Sequence, residues 1–252
     1  MKDSNIIEGT LEELIAEIAL YVKSIFNESV KKRGEFRIAL SGGSSMDVFA
    51  KAFLNKDAMS SMDWSKWQVF WADERWLAPT NEDSNYFRSK SVFLDYAGIP
   101  SKQIHPYETT LKPPDSALAY EEEIRNIFGS NLDEIPRFDL IVLGIGEDGH
   151  TASLFPNHPI LEEKERLVSY LVDSPKPPLV RMTFSLPLIN NAHHIAFVAS
   201  GSEKKMILKE LVKNNLPINL PAKMVSLLLN SLFLLKKFLF IEIRKPYVEI
   251  TY

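Results

Sequence analysis

The chain has 252 residues, of which 45% are hydrophobic, and a formal net charge of −4, which suits a globular protein built as one large α/β domain. Its 29 basic residues form no long block, so nucleic acid and anionic membranes are poor partners on charge grounds. The absence of cysteine excludes disulfides, a cysteine nucleophile and thiolate metal sites. The polar start, residues 1–5, resembles neither a secretory signal nor a transit peptide, so we expect a cytoplasmic protein.

Helical and strand-like patterns alternate along the chain. Thr10 and Glu13 form a capping box at the start of an amphipathic helix that ends near Gly34. Strand-like runs follow at 36–40, 68–72, 138–143, 167–172, 180–184 and 195–199. Helical patterns lie among them at 48–53, at 85–96, at 120–128 and from Glu203 onward. This alternation predicts an α/β fold with a mainly parallel sheet and helices on both faces, in a single domain of residues 1–252.

Small residues form the turn after the first strand, Ser41-Gly42-Gly43-Ser44-Ser45. Such a strand-to-helix turn points backbone N–H groups and a helix N-terminus toward an anion, although an ordinary N-cap turn has the same composition. The turn lacks the lysine of a nucleoside triphosphate loop and does not match the dinucleotide pattern GxGxxG. It therefore argues against a nucleoside triphosphate or a dinucleotide as the ligand, and a small anion remains allowed.

Charged side chains follow the second strand at Asp73, Glu74 and Arg75. Charges at such a position form either a solvated loop or a site, and a guanidinium binds phosphate or carboxylate through two parallel hydrogen bonds. Arg181 and Lys204 follow later in the chain and are further candidates, although an isolated basic residue is usually a solvated surface charge.

The segment Gly144 to Pro156 carries the strongest functional signal, because Glu147, Asp148 and His150 follow directly on a buried strand. Ligands of open α/β sheets bind outside the carboxyl ends of the strands, so these side chains reach the place where chemistry is usually done. An imidazole exchanges protons near neutral pH. The alternative is a glycine-rich turn in which His150 only caps a backbone group.

Together these motifs resemble the 6-phosphogluconolactonase family, which shares its fold with the glucosamine-6-phosphate deaminases. The resemblance also includes 84–86, 181–183 and 201–204, and it runs in order from about Ser41 to about Lys223. It implies a Rossmann-like fold and hydrolysis of 6-phospho-D-glucono-1,5-lactone to 6-phosphogluconate in the pentose phosphate pathway, without a cofactor.

The resemblance also assigns roles to individual residues. His150 is expected to act as the general base that activates water, and either Asp148 or Asp73 is expected to orient it. The expected substrate- and phosphate-binding residues are Ser41, Gly42, Gly43, Ser44, Arg75, Arg181 and Lys204. No HExxH or comparable zinc pattern occurs, so we predict no metal. The oligomeric state stays open.

Two other functions compete with lactone hydrolysis. A glucosamine-6-phosphate deaminase or isomerase has a glutamate shortly after the matching histidine, whereas here the run 152–156 holds no carboxylate. A non-catalytic sugar-phosphate sensor would keep the phosphate site but would not need His150 as a base.

The last segment, 226–252, is far more apolar than the family pattern and has no tryptophan. Lys236 and Lys237 interrupt it before it reaches the roughly 20 apolar residues that span a bilayer. We therefore predict that it packs onto the domain or lies between subunits.

Overall fold

A computed structural model describes residues 4–9, 11–54, 62–200, 204, 206–207, 220–230 and 238–243. The strands are β1 (Ser4–Gly9), β2 (Phe36–Leu40), β3 (Trp67–Trp71), β4 (Asp73–Arg75), β5 (Leu140–Leu143), β6 (Val168–Leu171), β7 (Arg181–Phe184), β8 (His194–Ser200) and β9 (Phe238–Ile243). The helices are α1 (Leu11–Arg33), α2 (Ser44–Phe53), α3 (Asn85–Ser89), α4 (Asp95–Ala97), α5 (Pro113–Phe128), α6 (Leu186–Asn190) and α7 (Pro221–Asn230). A π-helical turn, Lys90–Leu94, joins α3 to α4.

Six strands form one parallel sheet in the order β1-β9-β8-β5-β2-β3. Trp67 and Phe70 project from opposite faces of β3, because successive side chains of a strand alternate. Trp67 packs against Phe26 of α1 and Phe53 of α2, while Phe70 packs against Tyr120 of α5. Helices thus cover both faces of the sheet, and the predicted fold class is confirmed.

Two predicted strands do not join the parallel sheet. Residues 168–171 and 181–184 pair antiparallel as β6 and β7, and β7 also pairs with the short strand β4. The connection between β6 and β7 is too short for the crossover helix that parallel neighbours require, so the two strands form a hairpin. Arg181 therefore begins a strand of this small sheet, which stands apart from the parallel one.

One predicted helix begins earlier than its apolar pattern suggests. Helix α5 starts at Pro113, which occupies a first-turn position where the missing N–H of proline costs nothing. The start of the helix predicted at Glu203 lies outside the described residues. No helix within the described ranges is long and apolar enough to cross a membrane.

The apolar tail contributes a strand to the large sheet. Backbone pairing places β9 between β1 and β8, with six residues in register on each side. Strand β1 lies at one edge of the sheet and pairs only with β9 among the described strands. The other tail residues, 231–237 and 244–252, lie outside the described part of the chain.

We expect truncation after Val225 to destabilise the protein, because it removes β9 and leaves β1 and β8 without their shared partner. The midpoint of thermal unfolding should fall by roughly 10 °C or more. A truncation after Ile243 keeps β9 and should have a much smaller effect. If the protein truncated after Val225 unfolds at the same temperature as the full chain, the tail does not have this role.

Candidate active site

A tight loop after β5 presents His150. In this base loop, residues 144–156, the Gly146 N–H donates to the His150 carbonyl at 2.9 Å, and the Gly149 N–H donates to the Gly146 carbonyl at 3.0 Å. Gly149 has φ +82°, a conformation that favours glycine. A Cβ on Gly146 would overlap the His150 ring and the Asp148 carboxylate. Glycine at 146 is therefore what lets the imidazole lie against the loop backbone.

Asp148 is the carboxylate that contacts His150. Its Oδ1 lies 2.5 Å from Nδ1 of the ring, and the ring stacks on Phe155 with 4.8 Å between centroids. Burial alone raises the pKa of Asp148, but the hydrogen bond and charge of His150, with a contribution from Lys176, outweigh burial and lower the pKa below its ordinary value. Asp148 therefore stays ionised near neutral pH. An ionised carboxylate can only accept a hydrogen bond, so Nδ1 of His150 carries the proton and donates it to Asp148.

Asp73 lies in the same site but has other partners. Its Oδ1 accepts the hydroxyl of Ser41 at 2.7 Å, and its Oδ2 accepts the hydroxyl of Ser153 at 2.9 Å. Among the described contacts, His150 has no hydrogen bond to Asp73. Of the two aspartates left open by the sequence, Asp148 is the one that contacts the ring.

The turn after β2 forms one wall of the site. Gly43 has φ +75° and precedes α2 without a side-chain cap, and its carbonyl accepts the Met46 N–H of the first turn at 3.1 Å. Gly42 has no space for a side chain, because a Cβ there would overlap the amide of Asn85. The 41–43 loop lines a cavity at the carboxyl ends of β2 and β5, so its backbone is close enough to contact an anion there. The side chain of Ser44 lies outside the described part of the structure.

A buried carboxylate fixes the backbone of Arg75. Glu74 accepts the N–H groups of Arg75 and Asn85 at 2.7 Å each, and that of Tyr86 at 2.8 Å. Burial raises the pKa of Glu74 to about 7, against the lowering effect of these N–H donors. Arg75 Nη1 donates to the Asp83 carbonyl at 2.8 Å, whereas its buried Nε has no hydrogen-bond partner among the described residues. The guanidinium is thus held at one nitrogen, with an unused donor.

Arg181 supports a neighbouring loop. Its Nε donates to the Pro178 carbonyl at 2.8 Å, and its Nη2 donates to the carbonyls of Pro177 and Lys176 at 2.9 and 3.2 Å. These bonds leave Nη1 as the nitrogen that can face a substrate. Burial lowers the pKa of Arg181, Asp73 opposes this effect, and the neighbouring charge of Arg75 adds to it. An anion beside both guanidinium groups would relieve their repulsion.

A cavity of about 240 Å³ at the carboxyl ends of β2 and β5 collects most of the predicted residues. The predicted residues that line it are Ser41, Gly42, Gly43, Asp73, Arg75, His150, Arg181 and Lys204. Asp148 does not line the cavity itself, but it contacts the ring of His150, which does. The structure thus brings together residues that are up to 163 positions apart, from Ser41 to Lys204.

Sequence reasoning missed two residues of this site. Lys176 also lines the cavity, and its Nζ lies 3.3 Å from Asp148 Oδ1. It belongs to a proline-rich stretch that reads as a plain surface loop. Ser153 is buried behind the cavity and bonds to Asp73. Its place in the base loop, three residues after His150, was the available signal.

A larger depression, of about 380 Å³, lies at the opposite end of the strands and is less suited to chemistry. Two of its three arginines are in ion pairs, Arg33 with Asp139 and Arg37 with Glu35, and Arg137 donates to the Asn191 carbonyl. Within the described ranges, no group of three or more His, Cys, Asp and Glu side chains is arranged to hold a metal ion. The absence of a required metal stays a prediction.

Residues 9–232 match the model of the family described as glucosamine-6-phosphate isomerases/6-phosphogluconolactonase, and the chain belongs to that family. This confirms the resemblance inferred from the motifs.

Among its relatives, "Probable 6-phosphogluconolactonase 1" of Arabidopsis thaliana is 40% identical over 230 residues, which cover 87% of this chain and 85% of the relative. "Probable 6-phosphogluconolactonase 2" of Oryza sativa subsp. japonica is 40% identical over 228 residues, covering 85% and 80%. Among solved structures, 6-phosphogluconolactonase from Thermotoga maritima superposes with a TM-score of 0.78 at 25% identity, covering 95% of this chain and 99% of the other. The enzyme from Trypanosoma cruzi gives a TM-score of 0.78 at 28% identity, covering 94% of both chains.

Proposed function

We propose that this chain is a 6-phosphogluconolactonase, which hydrolyses 6-phospho-D-glucono-1,5-lactone to 6-phosphogluconate in the oxidative branch of the pentose phosphate pathway. One observation carries the proposal: a histidine paired with an ionised aspartate at 2.5 Å lines the same cavity as Arg75 and the 41–43 loop. The names of the relatives support the same substrate.

A lactone is an activated ester, so a base and a water molecule are enough to open it. Because Asp148 accepts a hydrogen bond from Nδ1–H, Nε2 of His150 is the basic nitrogen and takes a proton from the attacking water. The hydroxide adds to the carbonyl carbon and forms a tetrahedral intermediate. The carbon–oxygen bond of the ring then breaks, and the imidazolium returns its proton to the ring oxygen. Asp148 stabilises the imidazolium between these steps.

The phosphate of the substrate binds at the other side of the cavity. The guanidinium of Arg75 lines the cavity there, and Gly42 and Gly43 bring the backbone to the cavity just before α2. Arg181, Lys204 and Lys176 line the same cavity and add positive charge. Holding the phosphate at a fixed place brings the carbonyl carbon to His150, so the proposal predicts a preference for phosphorylated lactones.

The base loop is unsuited to the deaminase reaction. The residues that follow His150, from Ala152 to Phe155, are buried and include no carboxylate. Ring opening and proton abstraction at carbon 2 of an amino sugar would lack an acid that the deaminases have. A sensor without activity would have no use for the Asp148–His150 pair, and the measurement below separates it from an enzyme.

The decisive experiment follows acid release from freshly prepared 6-phosphogluconolactone with and without the protein. The proposal requires a rate well above spontaneous hydrolysis, and a rate equal to it would overturn the proposal. The cytoplasmic location remains a prediction, since four of the rice relatives are named as chloroplastic proteins. The single domain, the absence of a cofactor and the absence of nucleic-acid partners likewise remain proposals.

We expect Arg75→Ala to lower kcat/KM for 6-phosphogluconolactone on the order of 10²-fold, because it removes charge-assisted hydrogen bonds to the phosphate. The rate on unphosphorylated gluconolactone should hardly change, and inorganic phosphate should inhibit the variant less than the wild type. Arg166→Ala, at an exposed arginine outside the cavity, is the matched control. Equal losses on both lactones in Arg75→Ala would argue against a phosphate site at Arg75.

A further inference from the structure

Asp73 joins three segments of the chain. Its two carboxylate oxygens accept the hydroxyls of Ser41, in the 41–43 loop, and Ser153, in the base loop. Its backbone carbonyl accepts the side-chain amide of Asn85 at 2.8 Å. Asp73 is only 5% exposed, so both oxygens depend on these partners. The carboxylate is thus a bridge between two loops that both line the cavity.

Ser153 completes the bridge from a position where it cannot touch a substrate. It is fully buried and does not line the cavity. Its backbone N–H donates to the Thr183 hydroxyl at 3.3 Å, which ties the base loop to β7 as well. A hydrogen bond between a hydroxyl and a buried carboxylate is stronger and shorter than one between neutral groups, so the geometry it imposes is well defined.

We propose that Ser153 is a positioning residue for the reaction: through Asp73 it sets the distance between the 41–43 loop, which holds the phosphate, and His150, which activates water. The inference rests on the proposed function. A phosphorylated lactone is held at the phosphate and attacked at the carbonyl carbon, so a change in this distance misplaces the carbon relative to the base. Unphosphorylated gluconolactone is not held by a phosphate, so it can adjust its position to His150 when the distance between the two loops changes.

The test compares Ser153→Ala with wild type on two lactones. We expect kcat/KM for 6-phosphogluconolactone to fall on the order of tenfold, while the rate on gluconolactone changes by less than about twofold. Competition by inorganic phosphate should be unchanged, because the 41–43 loop and Arg75 remain intact. Ser153→Cys keeps the volume but weakens the donor, and it serves if the alanine variant does not fold. Ser153→Cys should also lower kcat/KM for 6-phosphogluconolactone more than the rate on gluconolactone.

Ser116→Ala is the control, since it removes a buried hydroxyl that has no hydrogen-bond partner among the described residues and lies in α5, away from the cavity. It should leave the rates on both lactones unchanged. An equal fall on both lactones in Ser153→Ala, or an unchanged rate on the phosphorylated lactone, would overturn the positioning role. A wild-type protein without lactonase activity would overturn the proposed function itself, and that result needs no variant.

Discussion

Replacing His150 by alanine is expected to lower kcat for 6-phosphogluconolactone by about 10²–10⁴-fold, the range that general base catalysis supplies. The KM should change by less than about threefold, because the phosphate is bound by other residues and the loss falls on the transition state. Steady-state rates of acid release, corrected for spontaneous hydrolysis, measure both quantities. The remaining rate reports how much of the acceleration comes from positioning the lactone alone.

Two controls separate the loss of the base from damage to the fold. Added imidazole should restore part of the rate of His150→Ala, since a small base can occupy the space left by the ring. The second control is His158→Gln. His158 also has a carboxylate partner, Asp173, but neither residue lines the cavity, so this variant should keep wild-type rates. A His150→Ala protein with near-normal kcat would show that another group activates the water.

Much of the parallel sheet was predictable because its strands carry a strong local signal. Residues 36–40, 67–71 and 140–143 are short apolar runs bounded by turn residues, as buried parallel strands are. Their carboxyl ends meet at one edge of the sheet. Once that was predicted, the motifs after these strands had to lie together, and the cavity at that edge agrees with this expectation.

The small antiparallel sheet and the outer strands carry weaker signals. β4 consists of Asp73, Glu74 and Arg75, whose charges resemble a loop, and its strand conformation comes from backbone pairing with β7. β1 and β9 pair although they lie more than 220 residues apart in the chain. Hydrophobic periodicity reports which side chains are buried, but not which distant strand supplies the hydrogen bonds.

At the site, the sequence predicted the residue types better than their contacts. From the sequence, Asp148 and Asp73 are equally plausible partners for His150. The turn of the base loop brings Asp148, and not Asp73, into contact with the His150 ring. Lys176 was missed because it enters the cavity from the hairpin between β6 and β7, and Arg181 holds that hairpin through carbonyl groups. Hydrogen bonds to backbone carbonyls leave no trace in the residue pattern.

The position of His150 depends on an empty space at Gly146. A Cβ at that position would overlap Nδ1 and Cε1 of the ring and Oδ1 of Asp148, the atoms that form the proposed catalytic pair. The backbone of Gly146 lies outside the left-handed region, so alanine can adopt its conformation without strain. Gly146→Ala therefore adds one methyl group to the site and leaves every catalytic side chain present. The expected effect is a displaced imidazole in a folded protein.

We expect Gly146→Ala to lower kcat/KM on the order of 10²-fold on both phosphorylated and unphosphorylated lactone, because a misplacement of about 1 Å at the reacting groups costs that much. Gly98→Ala is the opposite control: Gly98 has φ +72° and open space around it, so alanine there is strained but collides with nothing. That variant should lose about 1 kcal/mol of stability and keep its rates. Thermal unfolding and acid release measure the two effects separately. If Gly146→Ala keeps its rates within about threefold of wild type, the ring tolerates displacement and the Asp148–His150 geometry does not limit catalysis.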